Sequence, residues 1–171
     1  INDPKLIASI TKIMTAIVTI ENANIKEKVT VGNEILKMYG TNIYLQEGEV
    51  ITVEDLLYGL MLRSGNDAAV VLATYIGGTE EKFVEMMNQK AKELGMENTI
   101  FQNSHGLDDE TENYSSAYDM AMIGKELVKH EKILEFSSIY ETYLREGTDR
   151  KIWLVNTNKF VYKNYYSEKL L

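Results

Sequence analysis

Apolar residues recur at helical spacing along most of this chain, and the gaps between the runs fall at residues that cap or turn. Ile10, Ile13, Met14, Ile17 and Val18 lie at i, i+3, i+4, i+7 and i+8, which predicts a helix over residues 7–21 with one buried face. Thr52, followed three residues later by Asp55, has the form of a capping box and opens a helix over 53–63. A second helix, 67–76, is stopped by Gly77-Gly78. Thr79 caps a third, about 80–94, with Gly95 at its C-terminal end. Helical spacing returns over 117–130, and 133–137 reads as a short helical turn. Residues 29–31 and 43–45 read as short strands. Residues 139–144 and 151–155 alternate around Glu146-Gly147-Thr148-Asp149, the pattern of a hairpin. The stretch 101–113 is polar and turn-rich. The prediction is a helix-rich α+β fold in a single, incomplete domain over 1–171, helical over about 7–138 with a hairpin and tail over 139–171.

Composition narrows the function more than the fold. A chain of 171 residues suits one domain and can bury a core. The formal net charge of −8 argues against nucleic acid, which needs a clustered basic face. With no cysteine there are no disulfides and no thiolate metal sites. No run approaches the about 18 apolar residues of a membrane span. The chain opens at Ile1, so a processed or trimmed product is expected.

Two short strings carry the chemistry: Ser9-Ile10-Thr11-Lys12, an S-x-x-K, and Ser64-Gly65-Asn66, an S-x-N. Near a helix start, Ser9 meets the positive end of the helix dipole and free backbone N–H groups that can stabilise a developing oxyanion. Lys12, three residues on, returns its amine to the Ser9 face. Partly desolvated, such a lysine loses basicity and can serve as a general base. About one S-x-x-K arises by chance in a chain this long, and by itself it describes an ordinary helix start. Ser64-Gly65-Asn66 falls between two predicted helices, where a turn can aim a hydroxyl and a carboxamide into a cleft. The hydroxyl can pass a proton to a leaving amine, and the carboxamide can hold a substrate amide and orient Lys12. By itself this tripeptide is equally a C-cap followed by an N-cap.

The match extends beyond the two strings. The segment Ala8-Ser9-Ile10-Thr11-Lys12-Ile13-Met14-Thr15-Ala16 resembles the nucleophile segment of the low-molecular-mass penicillin-binding proteins. More narrowly, it resembles the serine-type D-alanyl-D-alanine carboxypeptidases of peptidase class S11. Val53 to Leu57 leading into Ser64-Gly65-Asn66-Asp67-Ala68-Ala69 is similar to that family's second block. Asn103-Ser104-His105-Gly106-Leu107, Ser116 to Ala121 and Asn156-Thr157-Asn158-Lys159 continue the likeness over nearly the whole chain. The resemblance implies part of a penicillin-binding-protein or β-lactamase-like (DD-peptidase) fold. It implies Ser9 as the acylated nucleophile, Lys12 as its base, Ser64 as a proton relay and Asn66 as a substrate-binding residue. It also implies a peptidoglycan stem peptide ending in D-Ala-D-Ala as substrate, β-lactams as inhibitors, no cofactor or metal, and a place outside the cytoplasmic membrane.

Two departures bear on activity. The family carries K-[ST]-G on a strand after the Asn-Thr-Asn block, and no such tripeptide occurs here. Its helix and two strands before the S-x-x-K are absent as well, so a fragment cut at both ends is expected, whose activity on its own is in question. Sheet edges left open would favour dimerisation or segment exchange. Two other readings are a class A-like β-lactamase, against which stands the lack of an E-x-x-x-N string, and a non-catalytic peptidoglycan- or partner-binding remnant. His105 and His130 are expected to have no ligand role, since two separated histidines make a poor metal site. Asp108, Asp109, Glu110 and Glu112 read as a solvated turn, Asn113-Tyr114-Ser115 as a formal sequon, and Phe160, Tyr162, Tyr165 and Tyr166 as a tail that packs or pairs.

Overall fold

In the computed structural model, which describes residues 1–159 and 161, helices surround one apolar helix and three small strand pairs lie at the periphery. The elements are β1 (Lys5–Leu6), a 3-10 turn (Ala8–Ile10), α1 (Thr11–Asn22), β2 (Lys28–Thr30), a 3-10 turn (Asn33–Lys37), β3 (Val50–Thr52) and α2 (Val53–Arg63). They continue with α3 (Asn66–Gly77), α4 (Glu80–Glu93), β4 (Tyr114–Ser115), α5 (Ala117–Leu127), α6 (Glu131–Ser138), β5 (Glu141–Leu144) and β6 (Ile152–Val155). The antiparallel pairs are β1–β4, β2–β3 and β5–β6. Phe160, Tyr162, Tyr165 and Tyr166 lie outside the described residues.

α3 is the centre because it has almost no polar face. Every residue from Asn66 to Ala73 is buried, and α1, α2 and α4 pack around it. Helix starts are fixed by side-chain caps. Thr52 Oγ1 accepts from Asp55 N at 3.1 Å, Thr79 Oγ1 from Lys82 N at 3.3 Å, and Ser116 Oγ from Asp119 N at 3.1 Å. Glycine in the left-handed region closes the other ends, Gly78 at φ 78° after α3 and Gly95 at φ 74° after α4. Tyr58 of α2 meets Phe136 of α6 edge-on at 4.7 Å, and Asn156 Nδ2 ties the hairpin to α6 through the Ser137 and Ile139 carbonyls.

Three expectations shift. Residues 43–45 form no strand, although Ile43 and Leu45 are buried. Their N–H groups go to the Asp67 carboxylate instead of a neighbouring strand: Ile43 N at 3.0 Å, Leu45 N at 3.0 Å. The partner of β2 is Val50–Thr52. The first helix begins at Thr11 rather than residue 7, because Ala8 takes φ 43° and residues 8–10 wind as a 3-10 turn. That change of phase leaves Ile10 49% exposed while Met14, Ile17 and Val18 stay in the core.

Candidate active site

Ser9 is carried out of the core by the turn Ala8–Ile10 and is exposed, whereas Lys12, one turn on, is only 3% exposed. Lys12 is drawn inward because Thr11, Met14, Thr15 and Ala16 around it on α1 are all buried. Its amine lies 3.2 Å from Ser9 Oγ and donates to the carbonyl of His105 at 2.6 Å. Burial without a carboxylate partner pushes the Lys12 ammonium down from its ordinary 10.5 to about 8. The geometry and the proton affinity agree: an amine poised to lose its proton sits within hydrogen-bond reach of a serine hydroxyl.

The stretch 101–113 is far from a loose connection. Asn103 Oδ1 accepts from Gly106 N at 2.6 Å and His105 N at 3.2 Å, and Asn113 Oδ1 accepts from Gln102 N at 2.7 Å and Asn103 N at 3.1 Å. Asn113 Nδ2 reaches Thr11 Oγ1 at 2.8 Å, and Thr15 Oγ1 donates to the Ser104 carbonyl at 2.6 Å. Buried amides thus fasten the loop to α1 and fix where the His105 carbonyl points. Of the acidic run, Asp108, Asp109 and Glu110 are exposed, as a solvated turn requires, while Glu112 is half-buried and accepts from the Tyr114 hydroxyl.

Gly106 shows how tight this junction is. It has φ 87°, and a Cβ there would stand 2.1 Å from the Ala8 carbonyl oxygen and 3.0 Å from Ser9 N. Gly106→Ala is expected to push the Ser9 backbone aside, slowing acylation of Ser9 by about 10- to 100-fold. Stopped-flow with a fluorescent penicillin checks this, and an unchanged rate would show that the contact does not position Ser9.

Ser64 and Asn66 occupy the turn between α2 and α3, as expected. Ser64 ends α2 with φ 59° and ψ 38°, and Asn66, 4% exposed, is the first residue of α3. Asn66 Nδ2 donates to the Tyr39 carbonyl at 2.7 Å, and Gly40 leaves room for that amide, since a Cβ on it would lie 3.3 Å from Nδ2. Among the described residues neither Ser64 Oγ nor the Asn66 amide is hydrogen-bonded to Lys12. The His105 carbonyl, not the carboxamide, orients the amine. So the structure joins Ser9 to Lys12 directly, while Ser64 and Asn66 sit together at the turn between α2 and α3.

His105 matters here in a way the reading of the chain missed. The block Asn103 to Leu107 was visible as a string, but the group that acts is a main-chain oxygen, for which no residue type is a signal. The His105 ring accepts from Leu107 N at Nδ1, 3.1 Å, and burial lowers its pKa, with nearby Glu80 opposing and Lys12 reinforcing the shift. At the other end of α1, Glu21, Glu126 and His130 come together, and Lys90 Nζ stands among them, 2.6 Å from Glu21 Oε1 and 3.7 Å from Glu126 Oε1. A lysine already serves these carboxylates as their cation.

Among solved structures, penicillin binding protein 6B from Escherichia coli superposes with a TM-score of 0.85 at 30% identity, over 97% of this chain and 54% of that one. The Streptomyces K15 DD-transpeptidase does so with a TM-score of 0.82 at 30% identity, over 96% of this chain and 68% of that one. Fold and dyad together define a helix-rich α+β domain of the penicillin-binding-protein type. The D-alanyl-D-alanine carboxypeptidase family, Peptidase S11, matches residues 1–170, and this chain belongs to it. D-alanyl-D-alanine carboxypeptidase DacF of Bacillus subtilis is 49% identical over 159 residues, 90% of this chain and 41% of that protein. DacC of Escherichia coli is 36% identical over 168 residues, 92% of this chain and 41% of that protein. The chain spans about 41% of the length of these curated relatives.

Proposed function

We propose that the protein containing this chain is a serine-type D-Ala-D-Ala carboxypeptidase acting on peptidoglycan stem peptides. The observation that carries the reading is Lys12 Nζ, buried and 3.2 Å from Ser9 Oγ. Neutral Lys12 takes the hydroxyl proton as Ser9 Oγ bonds to the carbonyl carbon between the two D-alanines. The C–N bond then breaks, the Lys12 proton passes by way of Ser64 to the departing amine, and free D-Ala leaves an ester on Ser9. Water, deprotonated by the same lysine, adds to that ester and releases the shortened peptide with Ser9 restored. Asn66 holds the substrate amide.

A β-lactam presents the same carbonyl in a strained ring and acylates Ser9 without losing a fragment. The substrate places the reaction outside the cytoplasmic membrane. No helix of the described residues is long and apolar enough to cross one. Open strand edges support dimerisation or segment exchange, and a monodisperse monomer in light scattering would count against that part.

The test is benzylpenicillin added to the full-length protein, followed by intact mass and tryptic mapping. The expected result is one adduct on the peptide Leu6 to Lys12, together with release of D-Ala from a D-Ala-D-Ala peptide. Rapid loss of the adduct with turnover of the drug would indicate a β-lactamase, and neither adduct nor D-Ala would sink the reading.

A further inference from the structure

The turn that carries Ser9 is held at both ends by one residue. Asn113, itself buried, accepts from Ile7 N at its carbonyl, 3.2 Å, and donates from Nδ2 to Thr11 Oγ1 at 2.8 Å. Between those anchors lie Ala8, Ser9 and Ile10, wound as a 3-10 turn with Ala8 at φ 43°. Such a backbone relaxes unless its surroundings over-determine it, and these two hydrogen bonds close it from either side. The same Asn113 side chain accepts from Gln102 N and Asn103 N, in the loop whose His105 carbonyl accepts from Lys12. Both members of the Ser9–Lys12 pair are therefore placed with reference to a single buried amide.

We propose that Thr11, a position the S-x-x-K pattern leaves free, is a positioning residue for acylation: its hydroxyl, bound by Asn113, sets the spacing of Ser9 Oγ from the Lys12 amine. The inference rests on the Ser9–Lys12 reading given above. Valine has nearly the shape of threonine and lacks only the acceptor. In Thr11→Val the Asn113 amide keeps Asn103 O at 3.1 Å and Asn103 Oδ1 at 3.0 Å, so no buried donor is orphaned. Thr15 Oγ1 still donates to the Ser104 carbonyl, and the loop stays on α1. What is lost is the tie at the C-terminal end of the turn, so Ser9 shifts relative to a lysine that does not.

Stopped-flow with a fluorescent penicillin on the full-length protein separates drug binding from the limiting rate of acylation. Thr11→Val is expected to lower the limiting rate about tenfold with the half-saturating concentration unchanged. Thr11→Ser, which restores the oxygen, is expected to return to within about twofold of the unsubstituted rate. In an Asn113→Ala background, Thr11→Val is expected to add less than about twofold, because the bond is already gone. An unsubstituted rate in Thr11→Val, a Thr11→Ser protein as slow as Thr11→Val, or effects that multiply in the double variant each overturn the proposal. So does a lowered urea midpoint with an unchanged rate, which gives the hydroxyl a structural role only. Should Asn113→Ala not fold, the valine and serine variants decide between them. If the proposal fails while the unsubstituted protein still takes label on Ser9, only the role of Thr11 is lost. If the unsubstituted protein takes no label, the acylation reading falls and the positioning role with it.

Discussion

Lys12→Ala is expected to slow acylation of Ser9 by a β-lactam about 10³-fold, the usual span of a lost general base. The chain should stay folded, because Thr11, Met14 and Thr15 keep α1 in the core. In the unsubstituted protein the same rate should follow the deprotonated fraction of Lys12. Burial holds that ammonium at about 8, so about a tenth is neutral at pH 7. Acylation therefore rises close to tenfold per pH unit below about 7 and levels off above about 8. Stability changes in the same direction. The folded state binds the Lys12 proton less tightly than the unfolded chain, whose lysine titrates near 10.5. This destabilising contribution is fully present below about 8 and disappears as pH rises towards 10.5. Rates measured from pH 5.5 to 9.5 with a fluorescent penicillin check both parts. A flat profile, or a Lys12→Ala protein that acylates normally, would remove the lysine from the mechanism.

The second large effect falls on stability. Asp67 is buried, and its carboxylate accepts from Ile43 N and Ala68 N at Oδ1 and from Leu45 N at Oδ2. Asp67→Ala leaves the two loop N–H groups buried without partners, at about 1–3 kcal/mol each, so a loss of about 3–5 kcal/mol is expected. Asp67→Asn should be intermediate, since its oxygen still accepts but its amide nitrogen meets an N–H donor. Urea midpoints for the two variants read this directly. Equal midpoints for Asp67→Ala and the unsubstituted protein would show that the loop finds its hydrogen bonds elsewhere. Because Asn66 N donates to the Thr41 carbonyl at 2.7 Å, loosening the loop should also weaken substrate binding.

These results bear on what the chain disclosed before its fold was known. Helices were legible wherever spacing and caps agreed, as with Thr52 before α2 and Thr79 before α4, because capping is a local interaction written in adjacent residues. The Ser9–Lys12 contact was legible for the same reason, being one helical turn. Residues 43–45 misled because alternation reports which side chains are buried, not what the backbone bonds to, and Asp67 supplied the bonds from far along the chain. The pairing of Lys5–Leu6 with Tyr114–Ser115 is too short and too distant in sequence to leave a pattern. The His105 carbonyl was invisible because every residue has one. Only the loop that aims it distinguishes it, and that loop depends on Asn103 and Asn113 meeting in space.

Ala8, next to Ser9, and Ser64 both hold positive φ, 43° and 59°, a backbone that side chains with a Cβ avoid. Glycine would occupy either position with less conformational penalty, and selection for melting temperature alone would drift towards it. At Ser64 that drift would delete the hydroxyl, and at Ala8 it would loosen the 3-10 turn that carries Ser9. On the proposed mechanism the two positions therefore mark where thermal robustness and turnover oppose each other. A thermostabilising library built on this sequence should recover glycine at these positions only among its inactive clones.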